Sequence, residues 1–283
     1  MKKTLFASIF CVLQFIGFCQ SETDSLIFYT ELDQGEAIDS IGDNDGVVSL
    51  ATPTTDRFGL DDQALFFNEN ANVRFAATSS LMLGTENFTI SLWFSSEDST
   101  HNGVLFNKGR GANDLPRIFL RFTGGTEPGM IQWRLGDENN TVESSYTNTS
   151  LFNGEWNHAA LVREDTALSF YLNGELIERT VDASISTINP DSDRSFYLGA
   201  QERSATSSSL GNFLSGSLDD VKIYRRALDG EEVLSLFDEE VIEEEIDYTD
   251  PIACYSLSNG EAIDNIGDND GCLLYTSPSP RDA

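Results

Sequence analysis

GEWNHAALVREDTALSFYLNGELI, residues 154–177, is the stretch whose reading decides the fold. Two apolar runs of strand length, Asn157–Arg163 and Ala167–Asn173, flank a polar gap at Glu164, Asp165 and Thr166. Asn173-Gly174 then supplies positive φ at two successive positions, as a type I′ turn requires, and Glu175–Arg179 returns as a third strand. In the middle strand Leu168, Phe170 and Leu172 share one face, and Ser169 and Tyr171 take the other. The first strand is apolar at both parities (Ala160 and Val162; Ala159 and Leu161), so it is predicted to be covered on both sides. Trp156 opens that strand with an apolar body large enough to close the end of a core. The pattern is a β-meander at the centre of a two-sheet sandwich.

Other short apolar runs lie on either side. Leu26–Leu32, Val47–Leu50, Ala64–Asn68, Val73–Phe75, Phe88–Phe94, Val104–Asn107, Ile118–Phe122 and Met130–Leu135 precede the meander; Ser195–Gly199 and Ser215–Tyr224 follow it. Each is bounded by Gly, Asn, Asp, Ser or Pro, the punctuation of a sandwich or barrel rather than of βαβ units. In Phe88–Phe94 the residues Phe88, Ile90, Leu92 and Phe94 face one way. Trp93 faces the other with Thr89 and Ser91, as a partly covered outer-sheet residue or an aromatic that meets a ligand. One helix is predicted, capped by Asp229 with Glu232 as its capping-box partner and Val233, Leu236 and Phe237 on its apolar side. The acidic run EEVIEEEIDYTD, residues 239–250, reads as a solvated linker.

The chain has 283 residues, 40% hydrophobic, enough for one sizeable sandwich core. It carries 47 acidic against 17 basic residues, a formal net charge of −30. Such a surface repels phosphate backbones and anionic lipid, which argues against a nucleic-acid partner, and it suits divalent cations. Residues 1–19, MKKTLFASIFCVLQFIGFC, place Lys2 and Lys3 before a short apolar run and then Gly17 and Cys19. This is a secretory signal of bacterial type with cleavage near Cys19–Gln20, and the run is too short and too soon followed by polar sequence for a membrane span. A lipid anchor on Cys19 is the second reading; the bulky Phe18 before it counts against that. Cys11 and Cys19 belong to the signal and Cys254 and Cys272 lie beyond the main domain, so no disulfide framework supports the domain at 22–238.

Residues 35–46, GEAIDSIGDNDG, return at 260–271 as GEAIDNIGDNDG. A second copy of the domain is therefore read as starting at 251–271, so that the chain is one unit of a tandem array. The tail CLLYTSPSPRDA, residues 272–283, does not continue the pattern; it resembles the translation of a sequencing adapter and is set aside.

Taken in order, the acidic N-terminal loop, TTDRFG (54–59), ALFFNENANVRF (64–75), NFTISLWF (87–94), GEWNHAALV (154–162), LSFYLNGELI (168–177) and GSLDDVKIYRRALDGEEVLSLF (216–237) resemble the laminin-G-like jelly rolls of the concanavalin A-like superfamily. The resemblance covers residues 26–238 and implies an all-β, two-sheet antiparallel jelly-roll sandwich with one short C-terminal helix. It also implies a secreted adhesion or carbohydrate-binding module, often attached to enzymes and often carrying calcium. The fold serves lectins, hydrolases and adhesion proteins alike.

Asp219 shares parity with Val221 and Ile223 and is therefore predicted to face the core, where a carboxylate needs a partner. A Ca²⁺ ion held by Asp219 with Asp39, Asp43 and Asp45 is one solution, and Asp264, Asp268 and Asp270 repeat the loop. The alternative is an Asx-rich turn, with Asp219 satisfied by backbone N–H groups. The spacing is not an EF-hand, because Ile41 and Thr52 fall at its first and twelfth positions. His158, in the Trp-x-His strand of the resemblance, reads as structural, and His101 lies in a polar loop. No Ser-His-Asp order or metal-type histidine pair is present, and no catalytic residue is assigned. The Glu-x-Asp-x-x-Glu strand of laminarinase-type hydrolases has its nearest counterpart in the linker, at Glu245, Asp247 and Asp250, which argues against a hydrolase. Trp133 and Tyr146 are candidates for sugar stacking, with ordinary surface placement the favoured reading; the long polar loops Asn107–Pro116 and Gln201–Asn212 are candidates for recognition. The expected function is a non-catalytic binding module for a glycan or an extracellular protein. An accessory domain of a polysaccharide-degrading enzyme and a structural spacer are the alternatives.

Overall fold

The computed structural model describes residues 25–109, 116–124, 128–203 and 209–238, with the backbone of 255–258, 261–264 and 271–272. The expected signal, the linker at 239–250 and most of the tail lie outside the described residues. The chain divides between Glu239 and Glu240 into two units.

In the first unit the strands are β1 (Leu26–Thr30), β2 (Gly46–Ser49), β3 (Thr52–Thr54), β4 (Ala64–Phe67), β5 (Asn72–Phe75), β6 (Phe88–Ser95), β7 (Val104–Lys108), β8 (Arg117–Thr123) and β9 (Met130–Gly136). They continue as β10 (Thr141–Thr147), β11 (Asn157–Glu164), β12 (Ala167–Leu172), β13 (Glu175–Val181), β14 (Phe196–Leu198), β15 (Gln201–Glu202), β16 (Leu210–Gly211) and β17 (Gly216–Tyr224), and α1 (Gly230–Phe237) follows. An eight-stranded sheet runs β13-β12-β11-β6-β17-β4-β3, with β1 also on β17. A seven-stranded sheet runs β10-β9-β8-β7-β14-β5-β2. Every pairing is antiparallel, as in a jelly roll.

The meander sits where the sequence places it. Asn173 and Gly174 take φ 50° and 77°, and β12 returns into β13 through that turn. Ala159 and Leu161 of β11, Phe170 of β12 and Phe88, Ile90, Leu92 and Phe94 of β6 all enter the core between the sheets. Ala160 and Val162 point the other way, into a second cluster with Tyr171, Val233 and Leu236. The double coverage read from β11 is thus the sandwich core on one side and α1 on the other. Asp229 caps α1 by accepting from the Glu231 and Glu232 amides at 2.9 and 3.0 Å, and Glu232 accepts from the Asp229 amide at 2.9 Å.

Several expectations need correction. Trp156 is half-buried and outside the core, so it does not close it. Trp133 is no surface aromatic: it is fully buried and stacks on Phe170 of the opposite sheet, ring centroids 4.3 Å apart. Tyr146 packs, half-buried, against the same core. Strands β3 and β10 escape the reading because Thr-Pro-Thr and Thr-Val-Glu-Ser-Ser-Tyr-Thr carry too few apolar residues to show a period; pairing with β4 and β9 makes them strands. Pro53 lies in β3, at the outer edge of its sheet.

The second unit has a three-stranded sheet of its own, β18 (Tyr255–Ser258), β19 (Glu261–Asp264) and β20 (Gly271–Cys272). Glu261–Asp264 forms a hairpin with Tyr255–Ser258, whereas the matching Glu36–Asp39 of the first unit is not a strand.

Candidate functional site

The acidic loop at 39–46 is organised by Asp39. Its Oδ1 accepts from the amides of Tyr29 and Ile41 at 3.4 and 3.2 Å. Its Oδ2 accepts from the amide and the side-chain Nδ2 of Asn44 at 3.2 and 2.7 Å. Asp45 accepts from the Asp39 amide at 3.0 Å, and Asn44 Oδ1 accepts from Thr78 and Ser80 at 2.6 and 2.7 Å. A Cβ on Gly42 would come within 2.8 Å of Asp39 Oδ2, so the loop needs glycine there. Asp43 is exposed.

Asp219 lies elsewhere in the network. A bulge between Asp219 and Lys222, with Asp220 at φ 46°, changes the parity of β17. Leu218, Val221 and Ile223 therefore face the core, while Asp219 sits opposite Trp93 on the outer side. This corrects the core-facing placement inferred from unbroken alternation. Arg57 Nη1 donates to Asp219 at 2.9 Å and to Asp220 at 2.5 Å, and the Tyr29 hydroxyl donates to Asp220 at 2.6 Å. The Arg57 guanidinium also stacks on Phe58 and Trp93. Trp93 is buried beneath the Phe237 ring of α1 and beside His158. Burial, then the neighbouring Asp220, pushes the Asp219 carboxyl up to about 8.

These residues do not fit the calcium ion expected from Asp39, Asp43, Asp45 and Asp219. The Asp39 oxygens meet four N–H donors, as many as a carboxylate has lone-pair positions, and Asp219 faces a guanidinium. Among the described residues no three His, Cys, Asp or Glu side chains gather as a metal group.

At one end of the sandwich a cleft of about 490 Å³ opens between the β4–β5 loop, which crosses from one sheet to the other, the β6–β7 loop and the segment entering β17. Asn68, Asn70, Asp98, Asn102, Asn212 and Phe213 supply its chemistry. Asn70 and Asn212 take φ 69° and 52°, a left-handed conformation that asparagine tolerates better than most residues. Arg203 Nη2 donates to Asn212 Oδ1 at 3.0 Å, and Asn102 Oδ1 accepts from the Gly124 amide at 3.1 Å. The hydroxyl and amide of Thr100 hold the Asp98 carboxyl below the usual carboxylate range. The wall therefore mixes amide donors, amide and carboxylate acceptors and one half-buried ring, a set that can meet several hydroxyl groups at once.

Residues 67–234 match the Laminin_G_3 family model, described as Concanavalin A-like lectin/glucanases superfamily. The chain belongs to this family. No curated protein matches the chain by sequence. Among solved structures, the laminin G-like domain resembles the binding domain of Paraclostridial Mosquitocidal Protein 1, with 18% identity and a TM-score of 0.59 over 76% of this chain and 52% of that one. It also resembles the binding domain of botulinum neurotoxin DC solved with rat synaptotagmin II, with 14% identity and a TM-score of 0.58 over 76% and 52%. A third is a botulinum neurotoxin type C structure whose cell entry depends on two ganglioside molecules, with 16% identity and a TM-score of 0.57 over 77% and 52%. The chain spans about half the length of these chains, and the likeness is one of fold.

The histidines of this laminin G-like domain both pack against aromatic rings, His158 on Trp93 and His101 on Phe122. His158 is buried, and burial, with Lys222 and Arg57 nearby, pushes it down to about 3, so its ring is neutral. His101 Nδ1 lies 2.6 Å from the Asp98 carbonyl, its ring edge-on to Phe122, and burial lowers it too. Of the expected recognition loops, residues 110–115 and 204–208 lie outside the described residues. Arg203 and Asn212 of the cleft fall in the expected loop Gln201–Asn212, whereas sequence alone does not bring that loop to Asn68 and Asn70 or to Asp98 and Asn102, which are far from it along the chain. The cleft's signal was the Asn-Glu-Asn and Asn-Phe pairs at loop positions 68–70 and 212–213.

Proposed function

We propose that this chain is a secreted, non-catalytic binding module that recognises a glycan through the cleft at the loop end of the sandwich. The observation that carries the reading is the cleft wall: clustered Asn side chains and Asp98 beside the Phe213 ring. Amides and carboxylates satisfy the vicinal hydroxyls of a sugar, and an aromatic ring meets its apolar face. Small ligands settle in concave sites of this kind, with a few placed polar groups to orient them. The family description names lectins beside glucanases, two of the structural neighbours are toxin binding domains, one of them solved with a protein receptor, and a third belongs to a toxin whose cell entry depends on gangliosides; the lectins and these neighbours support a binding role. The signal-like N-terminus supports secretion, and the repeat of 35–46 at 260–271 supports a tandem arrangement, which raises avidity for a repetitive polymer without new contacts.

A glycan array probed with the full chain tests the reading. Binding to a defined set of sugars is expected, and Phe213→Ala should weaken it roughly tenfold, about 1.4 kcal/mol, at unchanged melting temperature. Silence across neutral and acidic glycans would sink it.

A further inference from the structure

The outer face of the seven-stranded sheet carries a row of paired residues that the cleft does not use. From β2 to β10 the register aligns Val47, Arg74, Tyr197, Asn107, Phe119, Arg134 and Glu143. Alternation along β8 puts Arg117 and Arg121 on either side of Phe119 on the same face. The guanidinium carbons of Arg117, Arg121 and Arg134 lie 4.3, 4.8 and 5.6 Å from the centre of the Phe119 ring.

The partners of these three groups are unequal. Arg134 pairs with Glu143. Arg117, only 1% exposed, donates to the side-chain oxygens of Asn107 and Gln201 at 3.1 and 2.5 Å. Arg121 donates through Nε and Nη2 to Gln132 Oε1 at 2.8 and 2.6 Å. Neither meets a carboxylate among the described residues, in a chain with 47 acidic side chains. Among the described residues, three guanidiniums thus converge on one ring with a single carboxylate, Glu143, in an ion pair. Burial, then the neighbouring Arg121 and Arg134, lowers Arg117 to about 9; burial also lowers Arg121, with Glu143 opposing the shift and Arg134 adding to it. A buried guanidinium satisfied only by neutral oxygens is costly, and an oxyanion from outside relieves both the desolvation and the mutual repulsion. Arg121 is half-buried, and its Nη1 makes no hydrogen bond among the described residues.

We infer that this face binds the carboxylate or sulfate of an acidic glycan, with Arg121 making the contact, Arg134 beside it and Arg117 positioning both through Phe119. The inference rests on the glycan reading above and adds the charge of the ligand and a second surface for it. The chain's net charge of −30 opposes a polyanion, so any preference for acidic over neutral sugars has to arise locally.

The test is calorimetry of the full chain with three probes of matched length: oligogalacturonate, sulfated dextran oligosaccharide and neutral dextran oligosaccharide. The inference expects at least one acidic probe to bind at least tenfold tighter than neutral dextran, and whichever binds better identifies carboxylate or sulfate. Arg121→Gln should weaken that probe at least tenfold, Arg134→Gln should weaken it less, and Phe213→Ala should leave the preference for acid over neutral in place. Thermal melts of each variant check the fold. Equal affinity for acidic and neutral probes, or an Arg121→Gln variant that keeps the preference, overturns the inference while leaving the cleft reading intact. If no sugar of either kind binds, both fail.

Discussion

Asp219 and His158 sit on opposite sides of the same pH question. Asp219, raised to about 8, keeps a proton in the fold that the unfolded chain loses near its ordinary value of 3.8. Stability from this group is therefore present at low pH and falls as pH rises towards 8. His158, lowered to about 3, stays neutral in the fold while the unfolded chain takes up a proton below 6.5, so acid destabilises through it. Between pH 6.5 and 8 only Asp219 of the two acts. The free energy of unfolding should fall across that window, by up to about 2 kcal/mol, and Asp219→Asn should flatten the slope. Denaturant melts at several pH values read this directly; a wild-type slope that rises with pH would contradict the burial argument. Trp133 offers a second residue-scale test. Trp133→Ala should cost roughly 3–5 kcal/mol, because it empties the space against Phe170, and a loss under 1 kcal/mol would place the ring outside the core.

At the scale of elements, the Asp39 carboxylate organises the 39–46 loop through the amide and side-chain donors it meets. Added calcium or EDTA should leave the melting temperature of the full chain unchanged, whereas Asp39→Ala should lower stability by about 2 kcal/mol as the Tyr29, Ile41 and Asn44 amides lose their acceptor. A calcium-dependent rise in melting temperature would restore the ion. At α1, Asp229→Ala should cost about 1 kcal/mol through the lost cap. What could be read from sequence divides along these elements. The meander and α1 were legible because alternation, an Asn-Gly turn and a capping box are local signals. Trp133 was legible too, since Ile131, Trp133 and Leu135 form an apolar stripe against Gln132 and Arg134, but the surface reading gave that stripe no weight. Asp219 was not, because a bulge breaks the parity that alternation assumes. Nor was Arg57, which reaches Asp219 from 162 residues away. The arginine face lay half in view: Arg117, Phe119 and Arg121 share a parity, but only the register of β9 brings Arg134 beside them.

For the whole molecule, the core and the two proposed recognition surfaces occupy separate places. The sheets bury their shared apolar faces, α1 seals one outer face, and the cleft and the arginine row remain at the loop end and on the opposite outer face. Substitutions at Phe213 or Arg121 should therefore change binding with little change in melting temperature, while Trp133→Ala should do the reverse. Coupled loss of both properties in every variant would refute that separation.

Pro53, on the last strand of the eight-stranded sheet, has a bearing on how that border meets other molecules. An imide nitrogen cannot extend a ladder, so a stray strand finds no donor at that point of the border. Blunted there, the sheet resists growing by edge-to-edge pairing with a second molecule.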